Sequence, residues 1–150
     1  MSASIEWDQS LIEKYNYSGP RYTSYPTALE FNESFGMAEF EAAAGRYPER
    51  PLSLYVHVPF CHKLCYYCGC NKVITRHQGK ADVYLDYLER EVERLAPLFA
   101  GRTVTQLHWG GGTPTFLTEP QIRRLNGLLR RHFRFAERGE FSIEIDPREI

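Results

Sequence analysis

No apolar run in this 150-residue chain approaches the roughly 18 residues that a membrane-spanning helix needs, so no membrane span is expected. The first residues, Met-Ser-Ala-Ser-Ile-Glu-Trp-Asp, have neither the basic nor the apolar region of a signal peptide, and a cytoplasmic location is expected. An excess of one charge is also lacking. Eighteen Lys and Arg stand against nineteen Asp and Glu, for a net charge of −1. Such a balance gives no electrostatic pull toward nucleic acid, and none is expected as a partner. Internal repeats and low-complexity segments are absent. So are the G-x-x-x-x-G-K-[ST] loop of phosphate binders and the G-x-G-x-x-G of dinucleotide folds. Cysteine is missing from all but one short stretch, which excludes a disulfide framework, because such frameworks spread their cysteines to staple distant loops.

What is present is a chain long enough for one domain and a true core. Its hydrophobic fraction of 43% and charged fraction of 25% are ordinary for a globular protein. Aromatics reach 14%, with ten Tyr, which suits a pocket for a flat or partly polar ligand as well as it suits an aromatic core.

All four cysteines (Cys61, Cys65, Cys68 and Cys70) fall in His57-Val-Pro-Phe-Cys-His-Lys-Leu-Cys-Tyr-Tyr-Cys-Gly-Cys70. Thiolates grouped in one loop hold a soft metal centre. Two centres fit. Zinc can take three thiolates with Cys70 or His62 as the fourth ligand. An iron–sulfur cluster can take Cys61, Cys65 and Cys68, spaced C-x3-C-x2-C, which leaves one iron of a four-iron cube open to a substrate or cofactor. Zinc ribbons usually carry a second C-x2-C knuckle, and none exists here.

The remaining elements alternate. Residues 34 to 47 read as a helix capped by Ser34, with Phe35, Phe40 and Ala42 to Ala44 on its apolar face. Leu11, Ile12 and Tyr15 suggest a shorter helical face upstream. Leu52 to Val58 is a strand, with Leu52, Leu54, Val56 and Val58 on one face and Ser53, Tyr55 and His57 on the other. Ala81 to Ala100 carries a helical stripe of Leu85, Leu88, Val92, Leu95 and Phe99, ended by Gly101. Val104 to Trp109 is the second strand. Thr118 caps the next helix, which buries Ile122, Leu125, Leu129 and Phe133 and leaves Arg123, Arg124, Arg130 and Arg131 mostly to solvent. Phe141 to Ile145 is the third strand. One helix per crossover predicts an α/β fold with parallel strands. A three-stranded parallel sheet with open edges suggests the N-terminal part of a larger barrel. We divide the chain at residue 50, with an N-terminal arm and helix over 1–50 and the first βα units over 51–150.

In parallel α/β folds the chemistry gathers at the carboxyl ends of the strands. The cysteine loop follows the first strand, Gly110-Gly-Gly-Thr-Pro114 follows the second, and Glu144 ends the third. Consecutive glycines let backbone approach a ligand closely. The arm Tyr17-Ser-Gly-Pro-Arg-Tyr-Thr-Ser-Tyr-Pro-Thr27 places Arg21 among tyrosines and hydroxyls. It reads as a packed extended segment, or as a binder of carboxylates.

These residues resemble a family. Cys61-x3-Cys65-x2-Cys68, with Tyr67 before the last cysteine, resembles the signature of radical S-adenosylmethionine (SAM) enzymes. Gly110-Gly-Gly-Thr-Pro114 resembles their SAM-binding loop. Pro20-Arg-Tyr-Thr-Ser-Tyr-Pro-Thr27, Cys68-Gly-Cys70-Asn-Lys72 and His108-Trp-Gly-Gly-Gly-Thr-Pro114 narrow the resemblance to the oxygen-independent coproporphyrinogen III oxidases (dehydrogenases) of bacterial haem biosynthesis. The resemblance implies a partial, TIM-like (β/α) radical SAM barrel preceded by an N-terminal arm, of which this chain spans the first two and a half units. It implies a [4Fe–4S] cluster on Cys61, Cys65 and Cys68 and two SAM molecules. Tyr55, Gly111 and Glu144 would contact the first SAM, and Tyr67, Gly112 and Thr113 the second. It implies a SAM-derived radical that takes hydrogen from a propionate, so that two propionates of the porphyrinogen substrate become vinyls. No side chain is assigned a direct catalytic role, and Cys70 is not expected to be a ligand. An electron donor for the cluster and a monomeric state are expected, and the 150 residues alone are expected to show no turnover. At position 67 the family often has Phe, so Tyr67 adds a hydroxyl that needs a partner if buried. Two rivals are a haem chaperone of the same superfamily, whose members generally lack the arm and the Cys-Gly-Cys pair, and a non-catalytic zinc module.

Overall fold

The computed structural model describes residues 7–17 and 26–148. Arg21, with most of the arm around it, lies outside the described residues. The chain forms two units, one ending at Gly36 and the other beginning at Met37.

In the first unit, helix α1 (Gln9–Tyr15) carries the expected face of Leu11, Ile12 and Tyr15. Asp8 caps it by accepting the Leu11 N–H at 3.0 Å. The Ser10 hydroxyl, and then that N–H, hold the Asp8 carboxyl below its usual range. Ser34 does not act as the expected cap. Its N–H donates to Asn32 Oδ1 at 3.0 Å, and its hydroxyl turns to the same oxygen. Asn side chains compete for nearby backbone donors in this way.

The second unit begins with α2 (Met37–Gly45), three residues later than the sequence predicts. Strand β1 (Leu52–Val58) follows, with the expected alternation: Leu52, Val56 and Val58 are buried, whereas Ser53 and Tyr55 are exposed. After Pro59, two short strands, β2 (Phe60–Cys61) and β3 (Val73–Ile74), pair in parallel across the cysteine loop. Helix α3 (Gly79–Leu95) ends five residues before the expected Ala100. Pro97 has no N–H to continue the ladder, and residues Ala96–Phe99 tighten into a 3₁₀ turn. Gly101, at φ 81°, then reverses the chain, as expected of a terminator. Strand β4 (Thr103–Gly111), helix α4 (Glu119–His132) and strand β5 (Arg134–Ile143) complete the unit.

The sheet is three-stranded, parallel throughout, in the order β1-β4-β5. This is the predicted α/β arrangement of parallel strands with flanking helices. Strand β5 begins seven residues earlier than expected. Its pairing slips between Val104, opposite Phe135, and Gln106, opposite Glu140, so that four residues of β5 stand against Thr105 alone. Glu137, Arg138 and Gly139 break any alternation there, so only the distal half reads as strand from sequence.

One face of the sheet is sealed by α3 and α4. Val56, Val58 and Trp109 meet Leu85, Leu125 and Leu129 in a single core. Leu125 is buried as predicted, and Leu128 and Gln121 are buried beside it. Gln121 is the polar member the pattern missed. Its amide donates to Asp82 Oδ1 at 2.8 Å and its carbonyl accepts the Thr118 N–H at 2.9 Å, so it ties α4 to α3 while closing the helix cap. Arg124 does more than face solvent, since it bonds Asp86 at 2.7 Å and Glu89 at 2.9 Å across to α3. The opposite face of the sheet remains polar, and the site builds on it.

Candidate metal and cofactor site

The end of β1 organises the site. Val58 O accepts the Gly112 N–H at 2.8 Å, and Phe60 O accepts the Thr113 N–H at 2.8 Å. The glycine loop is thereby fastened to the start of the cysteine loop. The two ends of the cysteine loop are clamped by Val73 N–H to Pro59 O at 2.7 Å and Thr75 N–H to Cys61 O at 3.0 Å. Within it, Cys68 N–H closes a turn on Cys65 O at 3.1 Å. His57 Nε2, on β1, pairs with Asn71 O at 2.8 Å and braces the return limb. The Tyr84 hydroxyl donates to His57 O from α3, and burial pushes its pKa up to about 12.

Glycine is required at two positions here. Gly111 has φ 114°, and a Cβ on it would stand 2.7 Å from the His57 ring. A Cβ on Gly112 would meet Phe60 O at 2.6 Å. The backbone therefore comes nearest its neighbours where the sequence places consecutive glycines.

These elements enclose a cleft of about 440 Å³, lined by Cys61, Cys65, Cys68 and Cys70, by Tyr67, and by Gly111, Gly112, Thr113, Glu144 and Asp146. All three candidate cluster ligands and five of the six candidate SAM contacts thus line one cavity. The sixth, Tyr55, does not line it. Its ring is stacked on His108 at 5.7 Å, and its hydroxyl is 3.2 Å from His57 Nδ1. Partial desolvation, and then the charge of Glu144, raise the Tyr55 pKa.

All four cysteines are free thiols. Thr113 Oγ1 lies 3.7 Å from Cys61 Sγ, and Arg148 Nη2 lies 3.5 Å from Cys65 Sγ. The Cys70 N–H and side chain lower the Cys68 pKa, and the shared bond raises that of Cys70. Among the described residues, no three His, Cys, Asp or Glu side chains converge as the ligands of one metal ion. Three free thiols lining one cleft are the donor chemistry that an iron–sulfur cluster takes.

Sequence reasoning missed Asp146, Arg148 and Ser142. Arg148 grips Asp146 through Nε at 2.8 Å and Nη2 at 2.6 Å. The guanidinium, then the Arg148 N–H, hold the Asp146 carboxyl at about 2, against an ordinary 3.8. The stabilisation from this pair is full above pH 3.8 and fades as pH falls toward about 2. Arg148→Ala is expected to return the Asp146 midpoint toward 3.8, read by NMR titration of its carboxyl carbon.

No protein-family model matches the chain. It is 70% identical over 146 residues to the oxygen-independent coproporphyrinogen III oxidase of Escherichia coli strain K12, covering 97% of this chain and 32% of the relative. A protein of the same name from Mannheimia haemolytica is 66% identical over 145 residues, covering 97% of this chain and 99% of that one. The Pseudomonas aeruginosa protein of that name is 50% identical over 154 residues, covering 99% and 34%. The solved structure of Escherichia coli coproporphyrinogen III oxidase, described as a radical SAM enzyme, superposes with a TM-score of 0.86 at 66% identity, covering 97% of this chain and 32% of that one. The chain thus spans about a third of the length of its Escherichia coli relative.

Proposed function

The chain belongs to the oxygen-independent coproporphyrinogen III oxidase family, and from that premise we propose that it forms the cluster-holding and SAM-binding part of such an enzyme. The reaction is the anaerobic oxidative decarboxylation of two propionates of coproporphyrinogen III to vinyls, giving protoporphyrinogen IX. The observation that carries this reading is the gathering of Cys61, Cys65, Cys68, Gly111, Gly112, Thr113 and Glu144 around one cleft at the carboxyl ends of the strands.

Cys61, Cys65 and Cys68 would hold a [4Fe–4S] cluster. Held there, such a cluster with SAM would supply the one-electron chemistry that the decarboxylation needs. The chain's own residues bind and orient. Gly111 and Gly112 let the glycine loop pack against His57, Pro59 and Phe60, which keeps its backbone on the wall of the cleft. Glu144 offers a carboxylate to the hydroxyls or ammonium of the first SAM, with Tyr55 on the same sheet face. Tyr67 and Thr113, with Gly112, face a second SAM. Cys70 adjoins the cluster without binding it. The enzyme acts in the cytoplasm as a monomer, fed by an electron donor.

Anaerobic reconstitution with iron and sulfide tests the reading. A brown chain with broad, air-sensitive visible absorbance and near-equal iron and sulfide contents is expected. A colourless chain that retains zinc overturns it.

A further inference from the structure

On the polar face of the sheet, the register sets three side chains in one row, with Tyr55 opposite His108 and His108 opposite Ser142. Further along the strands, His57 lies opposite Gly110, and Glu144 N–H donates to Trp109 O at 2.9 Å. Gly110 leaves a notch in this second level. A Cβ there would stand 2.9 Å from His108 Nε2 and 3.0 Å from Glu144 Cδ. His108 and Glu144 lean together over that notch.

Their contacts are directional. Glu144 Oε1 lies 3.3 Å from His108 Nε2, and Oε2 accepts the Gly111 N–H at 3.2 Å. A carboxylate only accepts, so His108 Nε2 carries the proton. Ser142 Oγ lies 2.8 Å from His108 Nδ1 and, by donating to it, fixes that tautomer. Each carboxylate oxygen therefore has one donor from the sheet, and the remaining lone pairs face the cleft that Glu144 lines.

We propose that His108 is a positioning residue, which holds the Glu144 carboxylate over the Gly110 notch in the orientation that receives the hydroxyl or ammonium donors of SAM. The proposal rests on the reading of the cleft as a SAM site. Pre-oriented acceptors bind more tightly than mobile ones, because their rotamer freedom is already spent. Ser142 acts one bond further away, through the tautomer.

The test uses the full chain, reconstituted anaerobically, with SAM binding measured by equilibrium dialysis against radiolabelled SAM. His108→Phe keeps a ring to stack on Tyr55 but removes both nitrogens. It is expected to weaken SAM binding about tenfold at unchanged iron and sulfide content. His108→Gln keeps a donor at the right reach and is expected to stay within about threefold of the wild type. Ser142→Ala is expected to fall between them. A His108→Phe chain that binds SAM like the wild type, or a His108→Gln chain that falls as far as the Phe variant, overturns the proposal. So does a loss of iron in His108→Phe, which would place the residue in the support of the cysteine loop. A wild-type chain that carries its cluster but binds no SAM overturns the SAM-site reading itself, and is recognised because it appears before any substitution.

Discussion

Cys61→Ser is expected to leave a folded chain that retains no cluster after anaerobic reconstitution, with iron and sulfide near the level of the unreconstituted protein. Two features separate the metal effect from a folding effect. Cys61 lies on β2, and its structural bonds are made by its backbone: its carbonyl accepts the Thr75 N–H at 3.0 Å, and its residue pairs with Ile74. None of this involves sulfur. The contact its side chain makes with Thr113 Oγ1, at 3.7 Å, is weak enough for a serine hydroxyl to replace. Chemically, the change is severe. A hydroxyl is a hard and barely acidic donor, where iron in a sulfide cluster takes a soft thiolate. Cys65→Ser and Cys68→Ser are expected to behave alike. Cys70→Ser is the control, and is expected to keep its iron. If Cys70→Ser lost the cluster while Cys68→Ser kept it, the ligand assignment would have to pass from Cys68 to Cys70.

The residues of this cleft differ in how far sequence could reveal them. The cysteine group was legible because its spacing is local: three thiols within eight positions must share a loop, whatever the fold. Strand β1 was legible because alternation and Pro59 both mark it, and the glycines were legible because nothing else explains three in a row. The start of β5 was not, since charges and Gly139 hide a strand that only its ladder to β4 holds. The end of α3 carried a signal, Pro97, which a long apolar stripe outweighed. Ser142 and His108 belong to a different class. Each sits on the polar face of its strand, as period two would place it, but their pairing depends on a register that includes the slip between Val104 and Gln106. No local pattern encodes that slip. The contacts of Asp146 and Arg148 are set by where the chain goes after Glu144, which periodicity does not address. Local chemistry was thus readable from local spacing, and the supporting polar bonds, which join different strands, needed the structure.

Gly112→Ala is expected to be among the most damaging single-methyl changes at the described glycines. The added Cβ would fall 2.6 Å from Phe60 O, 2.7 Å from Pro59 C and 2.8 Å from Pro59 O. All three are backbone atoms, so no rotamer change can make room. The glycine loop must move away, and the bonds that fasten it are the Gly112 N–H to Val58 O and the Thr113 N–H to Phe60 O, each 2.8 Å long. Overpacking costs about 1–3 kcal/mol on its own, and stretching two buried bonds places the total toward the upper end, about 3 kcal/mol. For a chain of this size that lowers Tm by roughly 6–12 °C, measurable by circular dichroism on the unreconstituted protein. Gly127→Ala supplies the contrast. Gly127 lies inside α4 with open space where its Cβ would stand, so the same methyl is expected to stabilise the helix by about 0.5–1 kcal/mol. Opposite signs for one substitution at two glycines would locate the damage in the fastening of the glycine loop, and the Gly112→Ala chain is then expected to lose SAM binding as well. A Gly112→Ala chain that melts like the wild type would mean that the loop is held less tightly against β1 than these distances require.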